Sequence, residues 1–249
     1  MIHRTKKDGV IMNSSSQKEN FSKWISLSTS ASVLVSFCFA IIALPKSGAN
    51  CTISCVQYPY LNIQNFFPND YYWMPLASLA MMVYLMLFTS IYHSTSDNKK
   101  VFSHIGLNFS ILSSLILILN YLVQFLVVQA SLNNSETEGI ALLTQYNPHG
   151  LFIALETIGY LLMTVSFIFI IPSLDNDTKE EKWTRIVLLV SVFLTTISLI
   201  FFYSLFGLNI EDRFEVVIIS VNWSTLIIIG FLYYKIFKNN ETGRIYHDN

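Results

Sequence analysis

In QYNPHGLFIALETIGY, residues 145–160, a glutamate stands inside an otherwise apolar run: Glu156 comes seven residues after His149 and four before Tyr160. A charge in hydrocarbon is costly, so such residues face a bundle interior or a watered cavity and mark a candidate site by default. Once ionised, the carboxylate can anchor a cation or carry a proton. Left neutral, it can link helices by hydrogen bonds. Seven residues make nearly two helical turns and four make just over one, so the spacing places His149, Glu156 and Tyr160 close to one helix face.

Polar residues in other apolar blocks fall at a comparable depth. Asn120 and Gln124, four apart, form a patch on the third block, and Asn222 lies on the sixth with Glu215 about two turns above it on the same face. Tyr203 on the fifth reaches the same level. Polar groups converging from several helices are what a ligand cavity within a bundle requires, a few polar atoms in apolar walls. Interhelical hydrogen bonding would draw on the same residues. Such bonds average well under about 1 kcal/mol, so they are a weak reason to keep a carboxyl there.

The step Asn147-Pro148-His149-Gly150 reads as a helix start, with Asn147 as N-cap and Pro148 at the first helical position. CTISC carries Cys51 and Cys55, which can close a disulfide if the loop turns so that their Cα atoms approach within about 7 Å. Unpaired loop thiols are the alternative. Cys38 reads as packing inside the first helix. His93 and His104 flank a short turn, but structural zinc takes four ligands, and only His3 and His247 in the end segments could add to them. No metal and no cofactor is expected.

The elements that must hold these residues are membrane helices. The chain is 53% hydrophobic and only 12% charged, against roughly a quarter charged in soluble domains. Six apolar blocks are long enough to cross a bilayer: 24–44, 72–93, 102–130, 151–172, 185–207 and 214–237. They are continuously apolar rather than alternating, which favours helices over barrel strands. The third exceeds one crossing and should tilt or project. The fold class is therefore all-α, a bundle of six transmembrane helices between an N-terminal arm, residues 1–23, and a tail, residues 238–249.

Positive charge orients the bundle. Thirteen Lys and Arg fall on the arm, the second and fourth loops and the tail, whereas the odd-numbered loops carry only Lys46 and Arg213. The positive-inside rule then places both termini in the cytoplasm; the expected location is the plasma membrane of a prokaryote. A signal peptide cut after Ser47-Gly48-Ala49 would leave five spans, but the first apolar run is longer than the 7–15 residues of a signal core. Trp24 and Trp183 on the inner side, and Tyr71, Tyr72 and Trp73 on the outer, suit interfacial belts.

The sequence contains no phosphate loop, His-Glu-x-x-His, Gly-x-Ser-x-Gly or kinase signature. Its basic residues are scattered over short loops, which argues against nucleic acid, and no internal repeat or paired broken helix points to an inverted-repeat transporter. FFPNDYYWMPLASL, HIGLNFSILSS and above all ETEGIALLTQYNPHGLFIALETIGY resemble a family of multi-span membrane proteins from bacteria and archaea, over residues 60–172. The resemblance implies a polytopic membrane protein and brings no activity, cofactor or catalytic residue.

Three functions fit these observations. The first is binding or transport of a small polar or cationic ligand entering from outside, through Glu156, His149, Tyr160, Asn120, Gln124 and Asn222. Asp70, Glu136, Glu138, Glu211 and Asp212 make that face acidic, which concentrates cations. The second is an intramembrane enzyme acting on a lipid or isoprenoid with Glu156 and His149 as acid and base, although about 10 Å of helix axis separates them. The third is a non-catalytic partner or assembly protein packing against another membrane protein; its usual mark, a GxxxG face, is missing. The first leads, and an enzyme is the less favoured class.

Overall fold

A computed structural model describes the backbone of residues 2–43, 45–53 and 55–247, and the side chains of 17–43, 45–53, 55–60 and 62–239. Every regular element among them is helical. The six long helices are α1 (Ile2–Ile42), α2 (Trp73–Ser94), α3 (Lys100–Val123), α4 (Leu151–Ile170), α5 (Lys179–Phe206) and α6 (Arg213–His247). All six are long and apolar enough to cross a membrane, which makes this a multi-pass membrane protein.

Helix limits differ from the sequence reading at both ends of the chain. Residues 2–23 continue α1 and residues 238–247 continue α6. No proline interrupts either polar extension, so the helical register carries through. The long third block is resolved differently: α3 ends at Val123, a π-turn covers Gln124–Gln129, and one more helical turn follows at Ala130–Asn133. The extra residue per turn rotates the later side chains, so that Gln124, Val128 and Gln129 are all buried.

Helices consecutive in the chain run antiparallel, and α1, α2, α3, α4 and α6 close a ring, each packed on the next, with α4 and α6 its one parallel pair. Helix α5 stands outside it against α6, with 17% of its apolar window buried compared with 56% for α2. The apolar side chains that α5 turns outward, Leu189, Phe193, Ile197, Ile200 and Phe201 among them, suit lipid.

The ring is tight where small residues meet. Ser113 Oγ donates to the Gly159 carbonyl at 2.8 Å, joining α3 to α4. A Cβ at Gly159 would lie 2.6 Å from the Leu117 side chain. Between α1 and α6, Ser30 Oγ donates to the Ile227 carbonyl at 2.7 Å, and a Cβ at Gly230 would lie 2.8 Å from the Ser26 carbonyl oxygen. Close approach of this kind lets dispersion, rather than hydrophobic exclusion, hold helices together in lipid.

The end of the ring that carries the chain termini is clamped by short links. Lys99 Nζ reaches the Leu174 carbonyl and the Asp175 carboxylate, both at 2.8 Å. Thr178 caps α5 in a reciprocal box with Glu181. The distal end is built from longer connections, residues 43–72 and 134–150. The first bears short 3₁₀ turns at Leu61–Phe66 and Asn69–Tyr71. Cys51 and Cys55 are disulfide-bonded within it, their Cα atoms 5.9 Å apart.

Three packing expectations are corrected. Cys38 is exposed on α1 rather than packed. Of the three successive aromatics at the start of α2, only Tyr72 faces outward; Tyr71 is buried and Trp73 is half-buried. Consecutive helical residues point about 100° apart, so the three could not all face one interface. Finally, α4 starts at Leu151 with Gly150 as its N-cap, not at Asn147. The Asn147 side chain instead accepts from the His149 N–H at 2.9 Å, an Asx turn, and donates to the Ala141 carbonyl at 2.7 Å.

Candidate functional site

A cavity of about 290 Å³ opens near the distal end between α1, α2, α4 and α6. Its mouth is formed by the segment Pro45, Lys46 and Ser47, by Asp70 ahead of α2, by Tyr146 and Pro148 ahead of α4, and by Asp212 ahead of α6. Deeper, the walls are aromatic and aliphatic: Phe37 and Ile41 from α1, Trp73 from α2, Phe152 from α4, Ile219 and Trp223 from α6. Glu156 and Glu215 belong to the same lining. Both are buried, Glu156 at 0% exposure and Glu215 at 7%.

Sequence and helix geometry together explain why these two carboxyls meet. Helices α4 and α6 run parallel, since both begin at the distal end and run inward, α6 after the turn at Gly207–Asn209. Glu156 stands in the second turn of α4 and Glu215 in the first of α6. They therefore share a level. Their carboxyl groups lie within hydrogen-bonding reach of one another.

Glu156 Oε1 accepts a hydrogen bond from the Tyr121 hydroxyl at 2.7 Å. That hydroxyl is also 2.9 Å from the hydroxyl of Tyr160, to which the indole N–H of Trp223 donates at 2.6 Å. All three aromatic partners are buried, and they draw α3, α4 and α6 together around one oxygen of Glu156. The other oxygen, Oε2, receives no hydrogen bond from any N–H or hydroxyl of the described residues. Glu156 and Glu215 line the cavity together.

The remaining charged groups of the cavity are committed elsewhere. Asp212 accepts from the Ala49 N–H at 2.8 Å and from Asn50 Nδ2 at 3.1 Å. Gly48 sits against it at φ +71°, and a Cβ there would come within 2.6 Å of Asp212 Oδ1. This backbone conformation and this approach both need glycine. Asp70 accepts from the Tyr146 hydroxyl at 3.1 Å. Burial pushes that phenol's pKa well above its ordinary value, with neighbouring Tyr71 and Asp70 acting the same way, so Tyr146 is a durable hydrogen-bond donor. Lys46, the one lysine or arginine of the lining among the described residues, has its ammonium over the Phe66 ring, 5.6 Å from the centroid.

The polar residues expected at the site divide accordingly. Glu156 lines the cavity, and Tyr160 is tied to it through Tyr121. Asn120, Gln124 and Asn222 do not line it. Asn120 Nδ2 donates to the Phe152 carbonyl at 3.0 Å. Gln124 holds the 134–150 connection through the Leu143 carbonyl at 2.9 Å and the Gln145 N–H at 3.0 Å. Asn222 pairs with Thr164 of α4 at 3.2 Å. Their amides are used for helix joining. His149 is exposed, because α4 begins after it, and Tyr203 is 53% exposed on the outer face of α5.

Tyr121 and Trp223 were not singled out by sequence, and Trp73 was read only as an interfacial aromatic. Tyr121 and Trp223 directly follow residues that were singled out, Asn120 and Asn222, but one step along a helix turns the side chain by about 100°. In an apolar helix an aromatic residue carries no signal that separates a cavity wall from a lipid face. Comparison with protein-family models, curated proteins and solved structures finds no match for the chain.

Proposed function

We propose that the protein binds a small organic cation in the distal cavity and carries it across the membrane. The observation that supports this most is Glu156 Oε2, a fully buried carboxylate oxygen with no donor of its own, on a side chain that lines a cavity walled by Phe37, Trp73, Phe152 and Trp223. Aromatic faces attract ammonium groups, and more strongly when water is excluded. A carboxylate beside them supplies the counter-charge. Hard divalent ions take six or more oxygen ligands, which two carboxyls among rings do not provide. At about 290 Å³ the cavity is at the small end of ligand sites, which suits a methylated ammonium compound or a short amine.

Charge supports an orientation. Thirteen of the fifteen lysines and arginines belong to the end with the chain termini, and Lys46 and Arg213 to the other. Under the positive-inside rule the termini face the cytoplasm and the cavity opens outward; the proposed location is the plasma membrane of a prokaryotic cell. The enzyme reading lacks support in the geometry, since exposed His149 is not part of the cavity and leaves Glu156 without a basic partner there.

Calorimetric titration of the protein in lipid nanodiscs with tetramethylammonium and with choline tests the proposal. Both should bind, and Glu156→Gln should weaken them at least tenfold, about 1.4 kcal/mol. Binding that is unaffected by Glu156→Gln, or no binding of either probe, would remove the cation reading.

A further inference from the structure

We propose that Glu156 and Glu215 together form a proton-for-cation exchange site: the pair holds one proton between its two carboxyls when empty, and an entering monovalent organic cation displaces it. This rests on the cation-binding reading above and gives it a driving ion.

The argument starts from what surrounds the pair. From α3 comes the Tyr121 hydroxyl, from α4 the Tyr160 hydroxyl, and from the start of α6 the Asp212 carboxylate, which adds further negative charge near Glu215. The connection after α1 brings Lys46, and the segments before α2 and α4 bring Asp70 and Tyr146. The α1 residues of the lining, Phe37, Ala40 and Ile41, do not titrate. Lys46 is the one lysine or arginine among these groups, and its ammonium lies over Phe66. Asp212 and Asp70 are held by the Ala49, Asn50 and Tyr146 donors.

The pair is thus two buried carboxyls in contact, with the Tyr121 hydroxyl donating to one and no lysine or arginine of the described residues facing either. Like charges at such a separation in a low-dielectric site do not both persist, and one proton shared between the two oxygens removes the repulsion. The unpartnered Oε2 of Glu156 is where that proton bridges to Glu215. A cation arriving from the mouth changes the balance: the ammonium charge stabilises the second carboxylate, the carboxylic O–H breaks, and the proton leaves through cavity water. One positive charge enters the base of the cavity and one departs. Tyr121 stays a donor throughout, holding Glu156 with its other oxygen turned toward Glu215.

The exchange predicts linkage between cation and proton. While the pair is protonated, affinity for tetramethylammonium should tighten about tenfold per pH unit, and binding should release about one proton. The measurement uses the full chain in nanodiscs in a weakly buffered solution with a pH-indicator dye, alongside calorimetry at several pH values from 5 to 9. Binding that is pH-independent over this range and releases no proton overturns the exchange while leaving cation binding in place; absence of binding overturns both. Infrared difference spectra of the wild-type protein supply a check that needs no variant: tetramethylammonium should remove one protonated carboxyl band, and an unchanged band refutes the shared proton. Glu215→Gln, if it folds, should lower the release below one proton and flatten the pH dependence. Full release from that variant would place the proton elsewhere and refute the pair.

Discussion

Replacing Tyr121 by phenylalanine removes one hydroxyl from the centre of the bundle and tests whether the polar cluster acts as a unit. The hydroxyl donates to Glu156 Oε1 at 2.7 Å and lies 2.9 Å from the Tyr160 hydroxyl, with all three side chains buried. A hydrogen bond to a charged or partly charged group contributes about 1.5–3 kcal/mol, and a buried acceptor left bare costs its desolvation. Tyr160 keeps the Trp223 indole donor at 2.6 Å, so the loss falls almost wholly on Glu156. The ring itself stays, with its edge contact to Trp73 at 5.2 Å between centroids. The expected cost is therefore about 2 kcal/mol, read as unfolding free energy by SDS titration in mixed micelles. Glu156→Gln changes the other partner, and the double variant completes a cycle whose coupling should exceed about 1 kcal/mol. A coupling below about 0.5 kcal/mol would refute the reasoning, because it would mean that Tyr121 and Glu156 fold independently.

Three other outcomes follow from the packing and the loops. Gly230→Ala puts a Cβ 2.8 Å from the Ser26 carbonyl oxygen, backbone that cannot swing aside; it should destabilise the α1–α6 contact by about 1–3 kcal/mol in the same titration, and a neutral result would mean that these helices separate freely. Asp212→Ala leaves the Ala49 N–H and the Asn50 amide without their acceptor; hydrogen exchange at Ala49 should accelerate well beyond that at Val56, whose N–H is held by the Lys46 carbonyl at 2.6 Å. Reducing the Cys51–Cys55 bridge opens a loop of sequence separation four and should cost at most about 2 kcal/mol. Neither cysteine lines the cavity, so affinity for tetramethylammonium should be the same before and after reduction.

Much of the architecture was legible in the chain. Six apolar blocks, each long enough to cross a bilayer, became six helices of that kind, because in lipid a backbone must satisfy its own hydrogen bonds and a continuous apolar run has only the helix in which to do so. Glu156 could also be picked out, since a carboxyl in such a run violates the local pattern and is visible as a violation. The limits of the helices were less legible. Asn147-Pro148 has the composition of a helix start, yet its side-chain bonds close a turn and α4 begins three residues beyond Pro148. Cap residues and turn residues are the same types, and only the path of the chain decides between them.

What one-dimensional spacing could not decide was which polar groups meet. Asn120, Gln124 and Asn222 lie at depths that suit a common site, and tertiary packing turns each of them to a neighbouring backbone or to Thr164 instead. Tyr121 and Trp223, one position further along their helices, reach the Glu156 cluster. Depth is a sum of rises along one helix and is fixed by residue number. Azimuth depends on how each helix is rotated against its neighbours, which side chains distant in sequence determine together. The sequence alone settled that there would be a carboxyl within the membrane; the pairing with Glu215, the aromatic walls and the cavity were decided when α4 and α6 packed side by side.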